Sequence, residues 1–212
     1  MKILKTQSML SVIAIMMASL VLSSCDNEES NAAKYEDYFV LGSEKISLAS
    51  SCILFYDQTP GTNGQTGATY YRNELAFINS DISVDQSGDF AKLSGIGNII
   101  DFEFISPGQQ FDIGVYSFTG DDADLTPFNI YGGAVYINYN VEDGTGEVYV
   151  FTSGTMTVVE DEKFGLSVKL DGKVYPALKN IDGNVTGPDL SKTAVSVSAK
   201  FTGDTSDFER EG

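Results

Sequence analysis

The residues able to do chemistry in this chain are mostly carboxylates. Asp101 and Glu103 stand two apart in the run Ile99 to Ile105, and in a strand that spacing puts both on one face, opposite Ile100, Phe102 and Phe104. Glycoside hydrolysis needs two carboxyl groups roughly 5 to 10 Å apart across a cleft, a distance that neighbours on one strand meet. The competing reading is the solvent face of an amphipathic strand. Asp121, Asp122 and Asp124 in Gly120-Asp121-Asp122-Ala123-Asp124 are oxygen ligands of the kind Ca²⁺ takes, but the spacing is not that of an EF-hand, and an Asp-rich polar loop is ordinary. Tyr70, Tyr71 and Arg72 follow the longest turn-like stretch, Asp57 to Thr69. That places two flat rings and a guanidinium at a loop rim, where a sugar or peptide is held. Strand alternation turns one of the two tyrosines toward the core.

What is absent narrows the chemistry further. The chain has no His, so the usual general base, the partner of a Ser or Cys nucleophile, and the commonest zinc and haem ligand are all missing. The Gly-rich stretch Gly61 to Gly67 contains no Lys, and no phosphate-cradling Gly-x-x-x-x-Gly-Lys-Ser/Thr motif occurs. We expect no cofactor and no catalytic residue.

The two cysteines are Cys25 and Cys52. Cys52 lies in the strand-like run Ser51 to Tyr56, where a free Cys is ordinarily a buried small hydrophobe. Cys25 closes the N-terminal segment: Lys2 and Lys5, then an apolar stretch from Met9 to Leu22, then Ser23-Ser24-Cys25. A cationic start, about fourteen mostly apolar residues and small residues at the end make a secretory signal, too short for a comfortable membrane span. Residues 1–24 thus read as a signal peptide, 25–36 as Cys25 with an acidic linker, and 37–212 as a single domain.

Leu22-Ser23-Ser24-Cys25 resembles a bacterial lipobox, and Asp26-Asn27-Glu28-Glu29-Ser30 resembles the acidic tract that follows the lipidated Cys in many Bacteroidetes lipoproteins. The resemblance implies that Cys25 becomes an acylated N-terminus anchored in the outer membrane and displayed at the cell surface. Two or more acyl chains hold firmly where one binds only marginally. Val150 to Val158, with its Ser153-Gly154-Thr155-Met156-Thr157-Val158 core, then Leu166-Ser167-Val168, and the opening Tyr38 to Gly42 are similar to strands of small lipoproteins of this kind. They carry over a fold and an address and no site residue.

Thirteen basic residues against thirty acidic give a formal charge of −17, and removal of residues 1–24 takes Lys2 and Lys5 away for −19. So acidic a chain repels nucleic acid and anionic membrane surfaces, and nucleic acid is excluded as a partner. With 42% apolar and 20% charged residues, the composition is that of a folded domain rather than a disordered one.

From residue 37 onward the hydrophobic period is two. Phe164 to Leu170 alternates and leads through Asp171-Gly172 into Lys173-Val174-Tyr175, and Asp-Gly between alternating runs predicts a hairpin. Asp143-Gly144 and Gly42-Ser43 predict two more. Further strands are expected over Ile53 to Tyr56, Tyr70 to Ile78, Ile99 to Ile105, Val115 to Phe118 and Ala194 to Phe201. Pro176 implies an edge or a bulge, and Gly154 a bulge where inward and outward faces exchange. About ten strands with no helical period predict an all-β fold, an antiparallel sandwich or barrel, with a lipocalin-like barrel as the alternative.

The function expected is that of a non-catalytic binding or interaction module, anchored in the membrane through its N-terminal lipid and meeting a glycan, nutrient or protein partner. The alternatives are a structural or pilin-like subunit that pairs by strand addition, and a carboxylate-dependent hydrolase.

Overall fold

The structure, a computed structural model, describes residues 37–49, 51–56, 60–85, 92–109, 112–121, 125–162 and 165–209, the side chains of 51, 52, 55, 56 and 204–209 excepted. Every regular element among them is a strand: β1 (Tyr38–Leu41), β2 (Glu44–Ser47), β3 (Ser51–Tyr56), β4 (Gly61–Thr62), β5 (Thr69–Ile78), β6 (Ile82–Asp85), β7 (Lys92–Ser106), β8 (Gly114–Phe118), β9 (Asn129–Asn140), β10 (Thr145–Asp161), β11 (Gly165–Lys179), β12 (Val185–Pro188) and β13 (Val195–Glu209). The protein is all-β, as the period of two predicts.

The strands form one curled, mixed sheet. Its ladders run β3–β5–β7–β9–β10–β11–β13, and β13 pairs β3 again, so the circuit returns on itself. Two ladders, β13 with β3 and β8 with β9, are parallel, against the expectation of a wholly antiparallel sheet. The first joins segments distant in sequence and the second consecutive strands across the connection 119–128, since parallel strands need a crossover longer than a hairpin turn. The β1–β2 hairpin lies along the first half of β13, and β8 wedges between β9 and β10 where those two diverge.

The inner face carries the core. Phe39, Leu75, Phe77, Phe102, Phe104, Tyr116, Met156 and Phe201 are fully buried on it. Rings pack in tilted or edge contact, Phe77 to Phe201 at 5.2 Å, Phe102 to Phe151 at 4.8 Å and Phe104 to Tyr116 at 5.2 Å, geometries that aromatic quadrupoles favour. Each such side chain contributes about 1.5 to 3 kcal/mol on burial. A smaller cluster of Ile53, Ala76, Ile78, Ile82 and Ile99 sits on the outer face, where β6 folds back over the start of β7. Residues Glu36–Gly212 form one compact unit containing every core residue named here, so this body carries what it needs to fold by itself.

The local expectations meet different outcomes. The turns at Gly42-Ser43 and Asp143-Gly144 are hairpins, with φ of +62° at Gly42 and +71° at Gly144. Asp171-Gly172 is not a turn: β11 runs unbroken through it, paired on one edge with Gly154 and Thr155 and on the other with Val197 and Ser198. Gly172 is there for close approach, since a Cβ would stand 2.8 Å from the Ser153 carbonyl oxygen and 3.0 Å from the Phe151 ring. The bulge foreseen near Gly154 falls between Phe151 and Ser153, and the core positions of β10 change parity across it, from Phe151 to Met156. Pro176 lies between the end of the β13 ladder at Val174 and the start of the β12 ladder at Ala177, where its missing N–H costs no bond on that edge.

Candidate functional site

A cleft of about 390 Å³ opens between two Gly-containing turns, with Tyr136, Tyr139 and Val148 on one side and Lys179, Asp182, Asn184 and Val185 on the other. Each turn is held by its own polar side chains. In the β9–β10 turn the Asp143 carboxylate accepts from Thr145 N at 3.0 Å and from Asn140 Nδ2 at 3.0 Å, and Gly144 N donates to Asn140 O at 2.9 Å. In the β11–β12 turn the Asn180 side-chain oxygen accepts from Asp182 N at 3.0 Å and from Asn184 N at 2.9 Å, with Gly183 at φ +84°. These are Asx-type turns, in which a short polar side chain replaces a backbone partner. Lys179 Nζ donates to the Gly146 carbonyl at 3.1 Å and ties the two turns together.

The paired tyrosines are the feature that strand alternation hides. Residues 136 and 139 are an odd number apart and belong on opposite faces of a regular strand. Between them Asn138 takes φ +47°, a conformation Asn tolerates better than most residues, and Asn98 Oδ1 accepts from its N–H at 3.0 Å. The register shifts there, and the two rings come to 4.8 Å with planes at 59°. A Cβ at Gly146 would meet Tyr139 Cα at 2.7 Å, so the glycine lets the turn close onto this tyrosine. The local signal is the Asn138 to Gly146 stretch, rich in Asn, Asp and Gly.

Tyr136 reaches beyond the cleft. Its hydroxyl donates to Asp101 Oδ2 at 3.4 Å, and Ala134 N donates to Asp101 Oδ1 at 2.8 Å. Asp101 is partly buried beside the outer isoleucine cluster. Burial, with Glu74 next in weight and Glu103 also adding, pushes its carboxyl up to about 7, while the Ala134 N–H pulls the other way. Burial and the Asp101 charge raise the Tyr136 hydroxyl. Asp101 and Glu103 do share a face, with Glu74 directly across from Glu103. That face is half-buried packing rather than the freely solvated strip of an amphipathic strand.

The other sequence-derived positions lie elsewhere. Tyr70, Tyr71 and Arg72 are half-buried at the start of β5. The Tyr70 ring covers Gly61, where a Cβ would meet it at 2.3 Å, and the Arg72 guanidinium stands 5.8 Å from the centre of the Tyr131 ring. They pair near Ile105 and Ser106, at the other end of the β5–β7 ladder from Ile99 and its partner Tyr136. Six or seven residues at about 3.3 Å each separate the two places, some 20 Å. Asp121 is exposed after β8; Asp122 and Asp124 lie outside the described residues, as do Cys25 and the side chain of Cys52. Among the described residues no group of three or more Cys, Asp or Glu is placed to hold a metal ion. No protein-family pattern, curated protein or solved structure matches the chain.

Proposed function

We propose that this chain is a lipid-anchored protein of the outer membrane and cell surface whose β body is a non-catalytic binding module, with the Tyr136–Tyr139 cleft as its ligand site and a glycan or similar hydroxyl-rich nutrient as the ligand. The anchor rests on the lipobox-like Leu22-Ser23-Ser24-Cys25. The cleft carries the binding reading. Its lining pairs ring surface from Tyr136 and Tyr139 with carboxylate, amide, hydroxyl and amine groups of Asp143, Asn184, Thr145 and Lys179, the mixture of apolar face and convergent polar groups that a sugar presents in reverse. Both oxygens of Asp143 hold its own turn, which suits a rigid wall better than a proton donor.

The test is a thermal-shift screen of residues 26–212 against oligosaccharides and short peptides. A ligand at a hundredfold excess over its Kd adds about 2.7 kcal/mol, and Tyr139→Ala should abolish that gain. A ligand that stabilises the variant equally would displace the site, and a panel with no stabilising member would overturn the binding reading. The anchor is tested separately in cells, where Cys25→Ala should end incorporation of labelled fatty acid.

A further inference from the structure

We propose that the outer face of β8, β10, β11, β13, β1 and β2 is a docking surface that lies against the anionic headgroups of a lipid membrane. This rests on the lipid-anchor reading for its occupant. The ladders fix which side chains share the face. One row runs Val115, Thr157, Lys169, Lys200, Tyr38, Ser47; the next runs Ser117, Thr155, Asp171, Ser198, Val40, Lys45; a third holds Ser153, Lys173 and Ser196. Phe39, Met156, Val168, Leu170 and Val197 point the other way, into the core. Four exposed lysines, 45, 169, 173 and 200, therefore stand on one surface. Asp171 is the one carboxylate within these rows, 3.1 Å from Lys169, with Asp161 at the margin and Asp37 close enough to feel the Lys200 charge. In a chain of −17 formal charge this is a strong local reversal of sign.

Three further observations favour a membrane as the occupant. The face is a broad sheet surface, with only a shallow hollow of about 350 Å³ beside Val40, Gly42, Gly172 and Ser198. Its β8 border exposes apolar side chains, Ile113 at 54%, Val115 at 57% and Val159 at 47%, and lysines beside apolar groups suit the interface between headgroup and acyl chain. The described body begins at Asp37, and Tyr38 pairs Lys200 within the face. A linker of residues 26–36 would reach at most about 40 Å from there, which bounds how far the body can stand from any lipid on Cys25. Acidic groups elsewhere on the body do not cancel the attraction, because charges more than about 8 Å away are largely screened at physiological salt.

The experiment uses residues 26–212, which carry no acylation site, with sedimented vesicles. One set is one quarter phosphatidylglycerol in phosphatidylethanolamine, the other phosphatidylcholine alone. The body should bind the first, ignore the second and be released by salt. Lys169→Gln with Lys200→Gln should weaken binding about 25-fold, near fivefold per lysine. Lys92→Gln with Lys192→Gln, an equal charge change outside these rows, should leave it unaltered. Equal binding to both vesicles, or equal loss in the control pair, overturns the proposal. So does capture by soluble dextran sulfate without vesicle binding, which would make the face a polyanion site. If the full chain takes up no fatty acid while the body still binds vesicles, the anchor reading fails and the surface stands.

Discussion

Lys169 and Asp171 meet at 3.1 Å on one outer face of the sheet with most of both side chains in water. Asp101, on another outer face, shares its space with Glu74 and Glu103 and takes its bonds from the Ala134 N–H and the Tyr136 hydroxyl. Both regions are built from alternating strands of similar composition, and both gather charge of mainly one sign. They differ in solvent. On the lysine face water and salt screen the charges, so they act on a partner only within about 8 Å and hardly at all on the fold. Around Asp101 the outer isoleucine cluster and Tyr136 limit water, so the same kind of charge acts on the protein itself. Like charge costs stability where it is packed and costs little where it is solvated.

The largest effect should come from Asp101→Asn. The folded carboxyl titrates near 7 against an ordinary value of 3.8, so the native state holds more protons than the unfolded state between these values and stability falls as pH rises across that interval. Below about pH 4 the variant and the parent should be equally stable. Above about pH 7 the variant should be more stable by about 2 to 4 kcal/mol, at 1.36 kcal/mol per unit, because Asn keeps an acceptor for Ala134 and loses the charge. Denaturant unfolding at a series of pH values reads this directly, and a constant difference between the two proteins would break the contrast between the faces.

Gly172→Ala, in the strand that carries Lys169 and Lys173 but on its core-facing side, probes packing with no change of charge. The new Cβ would press on the Ser153 carbonyl and the Phe151 ring, and overpacking of this kind costs about 1 to 3 kcal/mol, independent of pH and salt. If Gly172 served a turn, Ala would disturb the hairpin and not the β10–β11 contact, and amide hydrogen exchange along β10 would separate the two.

Lys169→Ala should do least, changing stability by less than about 0.5 kcal/mol, with the difference vanishing at high salt. A loss as large as the gain expected at Asp101 would mean that the lysine face is not solvated in the way its exposure indicates.

Much of the fold was readable from residues alone. Period-two alternation with Gly-Ser and Asp-Gly punctuation placed β1 and β2, the β9–β10 hairpin, β5, β8 and the central part of β7. Asp171-Gly172 was misread because a dipeptide reports only what its backbone is able to do. Whether it turns depends on ladders formed with β10 and β13, which lie elsewhere in the chain. The cleft was illegible for the same reason: alternation sets Tyr136 and Tyr139 apart, and the αL residue Asn138 brings them together. Tyr70, Tyr71 and Arg72 drew notice as aromatic and charged neighbours after a loop, yet Tyr70 packs over Gly61, since a ring beside a glycine is as useful for packing as for binding.

By itself the sequence determined the fold class, the core-facing alternation of most strands, the absence of histidine chemistry and the net negative charge. These are properties of local pattern and composition, and no tertiary contact alters them. Only the tertiary structure decided where the charges went. Lys45, Lys169, Lys173 and Lys200 come from three separate strands and share a face because β2, β1, β13 and β11 are laid side by side in register. Glu74 meets Asp101 and Glu103 because β5 pairs with β7. Charge is summed along a chain but felt across space, over distances set by strand spacing and screening, and the register of the ladders converts one into the other.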